Sequence, residues 1–429
     1  MRFLSEIKLA TTESFKAIFT SRKMLVMFLL GFSSGLPFLL TLSTLTLWFA
    51  SYDISMQDLG YLSLITFPYA IKFLWAPLMD RYTLPFLGRR HGWILAMQVC
   101  IIFMIILLSF YSPDTHPLTI AGICVVLCFF SASQDIAINA YQADILLENE
   151  RAIGGTISVL GYRIGIIISG TVALFIAFYS SWNTAYLSMS GFMIIGIVGI
   201  LIAPHPDMSK ITIPKNLFDA VILPFKEFFT RLSFKSALLV LLIIIIYKLG
   251  DALAFSMNSA FFLKGLNFNL IEIAIAYKTN ATIFAILGSV VGAIIITRIG
   301  IYKGILYFSI IMACANLMYL LLALVGKSYV LMSLSVAVEY FAGGLGTSAF
   351  IALLLSLCNQ SFSATQFAIF SSIDSIGRIF IGPLAGFTVE NYSWATLFFL
   401  SFVIGLITTL IIYLAKKPLC KMGNLKINA

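Results

Sequence analysis

Long apolar runs alternate with short polar segments along almost the whole chain. Each run has about 20 residues or more, which at 1.5 Å per residue is enough to cross the hydrocarbon core of a bilayer. The pattern predicts twelve membrane-spanning helices, numbered as spans 1 to 12. They cover 24–49, 59–79, 93–111, 118–143, 153–179, 184–203, 237–263, 270–297, 303–325, 329–357, 364–388 and 394–415.

One polar connector divides these spans into two sets of six. Residues 204–236 begin with Pro204, His205 and Pro206 and carry five lysines and arginines, as expected of a linker. We therefore expect an N-terminal half, 1–203, that opens with a short amphipathic segment. The cytoplasmic linker follows, and the C-terminal half, 237–429, ends in a basic cytoplasmic tail.

Composition and charge agree with this organisation. Hydrophobic residues make up 60% of the chain and charged residues 10%, which is typical of a polytopic membrane protein. The loops on one side carry twenty lysines and arginines, whereas the opposite loops carry only Lys264 and Lys327. The positive-inside rule then predicts that both termini are cytoplasmic. Membrane orientation thus explains the net charge of +9, and a nucleic-acid partner is not expected.

Nine ionisable side chains interrupt the apolar spans. Each would cost about 3 kcal/mol facing lipid, so we expect them to face protein or a water-filled cavity. Spans 4, 7 and 10 carry acids or a lysine–aspartate pair, and spans 2, 5, 8 and 11 carry the other charges. Spans 3, 6, 9 and 12 carry none and are expected to face lipid. The nine residues are Lys72, Asp135, Arg163, Lys248, Asp251, Lys278, Glu339, Asp374 and Arg378.

A period of three spans, repeated four times, is typical of the inverted repeats of a two-half transporter. In this interpretation the first span of each triplet lines a central cavity. The alternative is a set of scattered structural ion pairs. The candidate substrate-binding residues are Gln134, Asp135, Asn139, Arg163, Tyr247, Lys248, Lys278 and Arg378, and the candidate proton-carrying acids are Asp251, Asp135, Glu339 and Asp374.

Two further patterns concern packing and the loops. Glycine pairs four residues apart, such as Gly31 and Gly35, predict close approach of helices. The loop after span 2 resembles the Asp-Arg…Gly-Arg-Arg loop of the major facilitator superfamily, and an ordinary positive-inside loop is the alternative. Its candidate gating residues are Asp80, Arg81, Gly88, Arg89 and Arg90.

Catalytic and metal-binding patterns are not found in the sequence. The six cysteines have no zinc-site spacing, the three histidines fall in loops, and no nucleotide-binding loop is present. We therefore expect no enzyme activity, no metal and no cofactor.

Seven segments resemble one family along the whole chain. They are GFSSGLPFLLTLSTL (31–45), FPYAIKFLWAPLMDRY (67–82), SASQDIAINAY (131–141), YKLGDALA (247–254), GGLGTSAFIALL (343–354), LCNQSFSATQFA (357–368) and GRIFIGPLAG (377–386). They are similar to the AmpG muropeptide permease family, with acetyl-coenzyme A transporters as more distant relatives. Where members of that family often have an acid and a base on span 4, this chain has Asn139 and Gln142.

The resemblance implies an all-α membrane protein with the twelve-helix fold of the major facilitator superfamily, built as two six-helix halves of inverted three-helix repeats. It also implies a monomeric importer of anhydro-muropeptides in the bacterial inner membrane, driven by protons and surrounded by lipid. The expected mechanism is alternating access, with Lys248 and Asp251 as an ion pair that parts when a substrate carboxylate binds the lysine. The alternatives are a transporter of another polar anion (an acyl-coenzyme A or a peptide), a drug/proton antiporter and a non-transporting sensor.

Overall fold

The computed structural model describes residues 21–84, 88–147, 150–205, 226–231, 234–358 and 363–416. Within these ranges the secondary structure is helical and no strand occurs. In the first half the helices are α1 (Arg22–Leu40), α2 (Ser43–Ala50), α3 (Met56–Tyr61), α4 (Phe67–Ile71), α5 (Ala76–Arg81), α6 (Arg89–Leu108), α7 (Pro117–Ile145), α8 (Arg151–Ile167), α9 (Ala173–Tyr179) and α10 (Trp182–Leu201). In the second half they are α11 (Phe234–Ile246), α12 (Leu249–Ala260), α13 (Leu270–Ile273), α14 (Asn280–Ile299), α15 (Ile301–Val325), α16 (Tyr329–Leu357), α17 (Ser363–Asn391) and α18 (Trp394–Leu414).

Three π-helical segments occur in the described residues: the first joins α8 to α9, the second follows α12 at the end of its span, and the third joins α13 to α14. They cover Ile168–Val172, Phe261–Gly265 and Ala274–Thr279. Such segments widen the helix by one residue per turn and are frequent at functional sites. The third of them contains Lys278, one of the predicted site residues.

Eleven helices in the described part of the chain are long and apolar enough to cross a membrane, and they match eleven of the twelve predicted spans. Span 2 differs, because it is a series of short α-helical and 3₁₀-helical segments between Met56 and Arg81. Pro68 and Pro77 are the second residues of α4 and α5. Proline lacks the N–H that would continue the preceding helix, so each proline starts a new segment.

The first compact unit comprises Met1–Leu45 and Leu74–Lys215. Its helices α1 and α8 lie in direct contact, as the glycine spacing predicts. A Cβ atom at Gly31 would overlap the carbonyl oxygen of Ser158, and one at Gly161 would overlap that of Phe28. Both helices can approach this closely only because glycine has no side chain.

The second compact unit comprises Thr46–Phe73 and Asn216–Ala429. The hairpin 46–73 therefore packs with the second half of the chain, although the sequence places it in the first. The Ser63 hydroxyl donates a hydrogen bond of 2.7 Å to the carbonyl oxygen of Ile379 on α17. Gly60 approaches the backbone of Gly382 and Gly386 on the same helix. The predicted division at the linker otherwise remains a prediction.

Candidate functional site

The membrane span that carries Lys248 is broken at that residue. Helix α11 ends at Ile246 and α12 begins at Leu249, while Lys248 itself has φ −107° and ψ 9°. Its ammonium donates a hydrogen bond of 2.9 Å to the Thr347 hydroxyl on α16 and lies 5.5 Å from the ring centroid of Phe350. The Tyr247 ring stacks on the same phenylalanine, with centroids 5.3 Å apart and planes at 5°.

The break changes the relation between Lys248 and Asp251. In a continuous helix residues three apart share a face, but here the two side chains take different partners and no ion pair joins them within 4.0 Å. Asp251 lies in the first turn of α12, where the helix dipole favours a negative charge. The two charges still interact electrostatically, and the predicted pair that parts on substrate binding stays a prediction.

Asp251 instead belongs to a buried polar cluster. Asn316 on α15 donates a hydrogen bond of 3.3 Å to its carboxylate. Glu339 on α16 is fully buried and close enough to Asp251 for their charges to interact. Neither carboxylate oxygen of Glu339 has a hydrogen-bond partner in the described part of the chain, and the same holds for the hydroxyl of Tyr319. We call Asp251, Asn316, Tyr319 and Glu339 the acid cluster.

Lys278 is a second buried charge without a counterion. Its side chain is 5% exposed, and within the described ranges its ammonium has no hydrogen-bond acceptor. The nitrogen lies 4.4 Å from the ring centroid of Tyr277, a cation–π distance. Tyr277 in turn accepts a hydrogen bond of 3.2 Å from the Tyr340 hydroxyl.

Asp374 and Arg378 pair with each other along α17. The ion pair has an N–O distance of 2.7 Å, and Asp374 is buried while Arg378 is 43% exposed at its side chain. Both charges interact electrostatically with Lys248. The structure therefore brings together Lys248, Asp374 and Arg378 as one charged group of the second unit.

The candidate residues of the first unit have different surroundings. The Gln134 amide donates a hydrogen bond of 2.9 Å to the Ser33 carbonyl oxygen, and Asp135 accepts one of 2.5 Å from the Ser34 hydroxyl. Both bonds connect α7 to α1. Asn139 is exposed, and Arg163 is half-buried on α8.

Of the predicted gating loop, the structure describes Gly88 and Arg90. Gly88 has φ 75°, in the region that favours glycine, and precedes α6. Arg90 forms an ion pair of 2.7 Å with Asp144 at the end of α7. The side chains of Asp80, Arg81 and Arg89 lie outside the described residues. The gating role of the loop stays a prediction.

Sequence reasoning missed several neutral polar residues of the second unit. Asn316 lies on span 9, which was expected to face lipid because it has no charge, yet Asn316 is fully buried against Asp251. Asn258 is also fully buried, and neither of its side-chain polar atoms has a partner among the described residues. A search for amides within apolar spans, and not only for charges, would have found both.

Comparisons with known proteins agree with this fold. The sequence profile described as Major Facilitator Superfamily matches residues 24–380. Among solved structures, the nucleoside transporter NupG has a TM-score of 0.73 and 15% identity, covering 92% of this chain and 100% of that chain. A POT family transporter in complex with 5-aminolevulinic acid has a TM-score of 0.74 and 14% identity, covering 93% and 96%. At these identities the likeness shows the fold.

Curated relatives are more similar in sequence. The anhydromuropeptide permease of Escherichia coli K12 is 42% identical over 385 residues, which are 90% of this chain and 78% of the permease. The putative transporter AmpG 1 of Rickettsia bellii is 30% identical over 408 residues, 93% of this chain and 99% of the relative. This chain therefore belongs to the Major Facilitator Superfamily and, within it, to the family of the anhydromuropeptide permease.

Proposed function

We propose that this protein imports anhydro-muropeptides across the bacterial inner membrane by proton symport. The observation that carries the proposal is the 42% identity to the Escherichia coli anhydromuropeptide permease, spread over 90% of this chain. The seven family-like segments fall in both halves, and two of them contain Lys248, Asp251, Thr347 and Phe350. Similarity at this level supports a shared cargo as well as a shared fold.

The charges of the second unit suit such a cargo. A muropeptide carries sugar hydroxyls, peptide amides, several carboxylates and in some forms an amine. Lys248 and Lys278 offer two ammonium groups that pair with no carboxylate within 4.0 Å in the described structure. A buried cation without a counterion is costly, so a carboxylate of the cargo stabilises it on binding. The Asp374 oxygen Oδ1 has no hydrogen-bond partner among the described residues and is left for an amine, while Oδ2 pairs with Arg378.

The acid cluster supplies the proposed proton site. Burying an ionised carboxylate without hydrogen bonds costs several kcal/mol. Two carboxyl groups at interacting distance also oppose each other's ionisation. We therefore assign a proton to Glu339 in this conformation, because its oxygens have no hydrogen-bond partner among the described residues. Its release requires a conformation that brings water or a cation to Glu339, which couples the proton to alternating access.

The proposal also includes a membrane orientation and an oligomeric state. Both termini are placed in the cytoplasm because twenty lysines and arginines lie on that side. The transporter acts as a monomer. A reporter enzyme that is active only in the periplasm, fused after Ala429, should stay inactive, and an active fusion would contradict this topology.

Transport into proteoliposomes tests the proposed function. An inward proton gradient should drive accumulation of labelled anhydro-muropeptide above its external concentration, and a protonophore should abolish the accumulation. Unlabelled anhydro-muropeptide should compete, whereas acetyl-coenzyme A should not. Equal uptake into empty liposomes would contradict transport, and uptake that resists the protonophore would contradict coupling to protons.

A further inference from the structure

Two side-chain bridges connect α12 with α16. In the first, Lys248 donates to the Thr347 hydroxyl over 2.9 Å. In the second, the rings of Phe255 and Tyr340 stack with centroids 5.0 Å apart and planes at 21°. Helix α12 packs mainly against α17 and α18, and α16 against α14 and α15, so long side chains make the connection between them.

The two bridges lie two helical turns apart. Lys248 and Phe255 are seven residues apart on one side, and Thr347 and Tyr340 are seven residues apart on the other. The helices therefore run antiparallel, with about 10 Å between the bridges. One end of this space carries a cation and the other end carries two aromatic rings.

The space between the two bridges is open at Gly343. Gly343 lies midway between Tyr340 and Thr347, and a Cβ atom there would meet only the tip of the Phe255 ring, at 4.0 Å. Gly343 and the four bridge residues are all half-exposed, whereas Asp251 and Glu339 beside them are buried. We call this surface, formed by Lys248, Phe255, Tyr340, Gly343 and Thr347, the bridge groove.

We propose that the bridge groove binds a sugar ring against Phe255 and Tyr340 and a carboxylate of the attached peptide at Lys248. The inference rests on the proposed function and assigns the groove to one part of the cargo. The apolar C–H face of a pyranose ring gains contact area on an aromatic face. The lysine supplies a charge-assisted hydrogen bond to a carboxylate. A spacing of about 10 Å fits a sugar at one bridge and the peptide stem at the other.

The two proposed contacts account for the presence of both a lysine and aromatic rings in the bridge groove. A free peptide would use Lys248 and leave the exposed parts of the two rings uncovered. An unmodified sugar would cover the rings and leave Lys248 without a carboxylate. The groove therefore favours a sugar–peptide conjugate over either part.

Binding to purified protein in detergent, followed by calorimetry, tests the inference with two probes. One probe is an anhydro-muropeptide with its sugars, and the other is the same stem peptide without sugar. Phe255→Leu keeps the apolar volume but removes the flat ring, so it should weaken the sugar-bearing probe by about fivefold to tenfold. Binding of the free peptide should stay unchanged. Lys248→Ala should weaken both probes.

Tyr329→Leu is the matched control, because it replaces an exposed tyrosine of α16 outside the bridge groove. It should bind both probes like the wild type. Tyr340→Leu tests the ring from the opposite helix and should reproduce Phe255→Leu, which separates a loss of stacking from a folding defect of one variant. Equal effects of the leucine variants on both probes, or no effect on either, would overturn the inference. A wild type that binds neither probe would overturn the proposed function, and the inference with it.

Discussion

The two compact units differ in the partners that their polar side chains have. In the first unit, the Gln134 amide nitrogen donates to α1, Asp135 accepts from α1 and Arg90 pairs with Asp144, although the Gln134 oxygen Oε1 has no partner in the described part of the chain. In the second unit, Glu339 and Lys278 are buried, and neither finds a partner for its polar atoms among the described residues. Satisfied groups hold helices together, whereas unsatisfied charges are costly and are retained where function needs them. This difference is the basis of our proposal that the coupling chemistry lies in the second unit.

Replacing one acid in each unit tests this difference and has the largest expected effect. Glu339→Gln should abolish gradient-driven accumulation of anhydro-muropeptide in proteoliposomes, because the amide cannot exchange a proton. Exchange of labelled for unlabelled substrate without a gradient should persist, since binding and alternating access remain. Asp135→Asn, the matched change in the first unit, should reduce accumulation far less. Equal losses in both variants would remove the distinction between the units.

Lys278→Met should lower the affinity for the cargo without lowering the thermal stability. Methionine has a similar length without the charge, so the melting temperature should stay the same or rise, because a buried cation without a counterion is removed. Affinity for anhydro-muropeptide should fall by about tenfold, the loss expected for one charge-assisted hydrogen bond. Thermal unfolding and calorimetry on the same sample measure both quantities.

The corresponding change in the first unit is Arg163→Met, on α8. Arg163 is half-buried, so its replacement should change affinity less than Lys278→Met does. A larger loss of affinity at Arg163 would place the main anion site in the first unit and contradict the assignment.

Arg90→Ala should lower the stability of the fold and leave the coupling of protons to substrate unchanged. The change leaves Asp144 with no ion-pair partner, and the side chains of the pair are only 9% and 16% exposed. A loss of about 2 kcal/mol is expected for such a charged hydrogen bond. Thermal unfolding should show the loss, and the ratio of protons to substrate should stay that of the wild type. A changed ratio would indicate that the loop before α6 takes part in gating.

Replacing Glu150 has the smallest expected effect on stability, and this effect depends on pH. The Leu147 amide and the Lys23 ammonium donate hydrogen bonds to its carboxylate and hold its pKa below the ordinary value of 4.5. A depressed folded-state pKa stabilises the fold above pH 4.5, and this stabilisation is lost as pH falls through the folded-state pKa. Glu150→Gln should therefore melt slightly lower than the wild type at pH 7, and this difference should shrink as the pH falls below 4.5. A difference that stays constant as the pH falls would show that charge is not the cause.

The sequence predicts the helices well because apolar runs alone set their positions. Eleven of the twelve predicted spans are single membrane-spanning stretches in the structure, and the glycine pairs of α1 and α8 make the close contact that their spacing implies. Span 2 was less predictable, because an apolar run alone does not show that the chain is divided into short helical segments there.

The site was only partly predictable, because its contacts join different helices. The charges at Lys278 and Glu339 stand out in apolar runs, and both are buried as expected. The break at Lys248 has no proline to signal it, so the hydrogen bond of Lys248 to Thr347 was missed. Asn316 was missed because a neutral amide hardly disturbs the hydropathy of its span.

The central claim is that a buried carboxyl of the second unit carries the coupled proton. Its most direct measurement uses proteoliposomes that contain a pH-sensitive dye and have no imposed gradient. Addition of anhydro-muropeptide outside should acidify the interior for the wild type and for Asp135→Asn, and should leave the pH unchanged for Glu339→Gln. Acidification by Glu339→Gln at the wild-type rate would contradict the account.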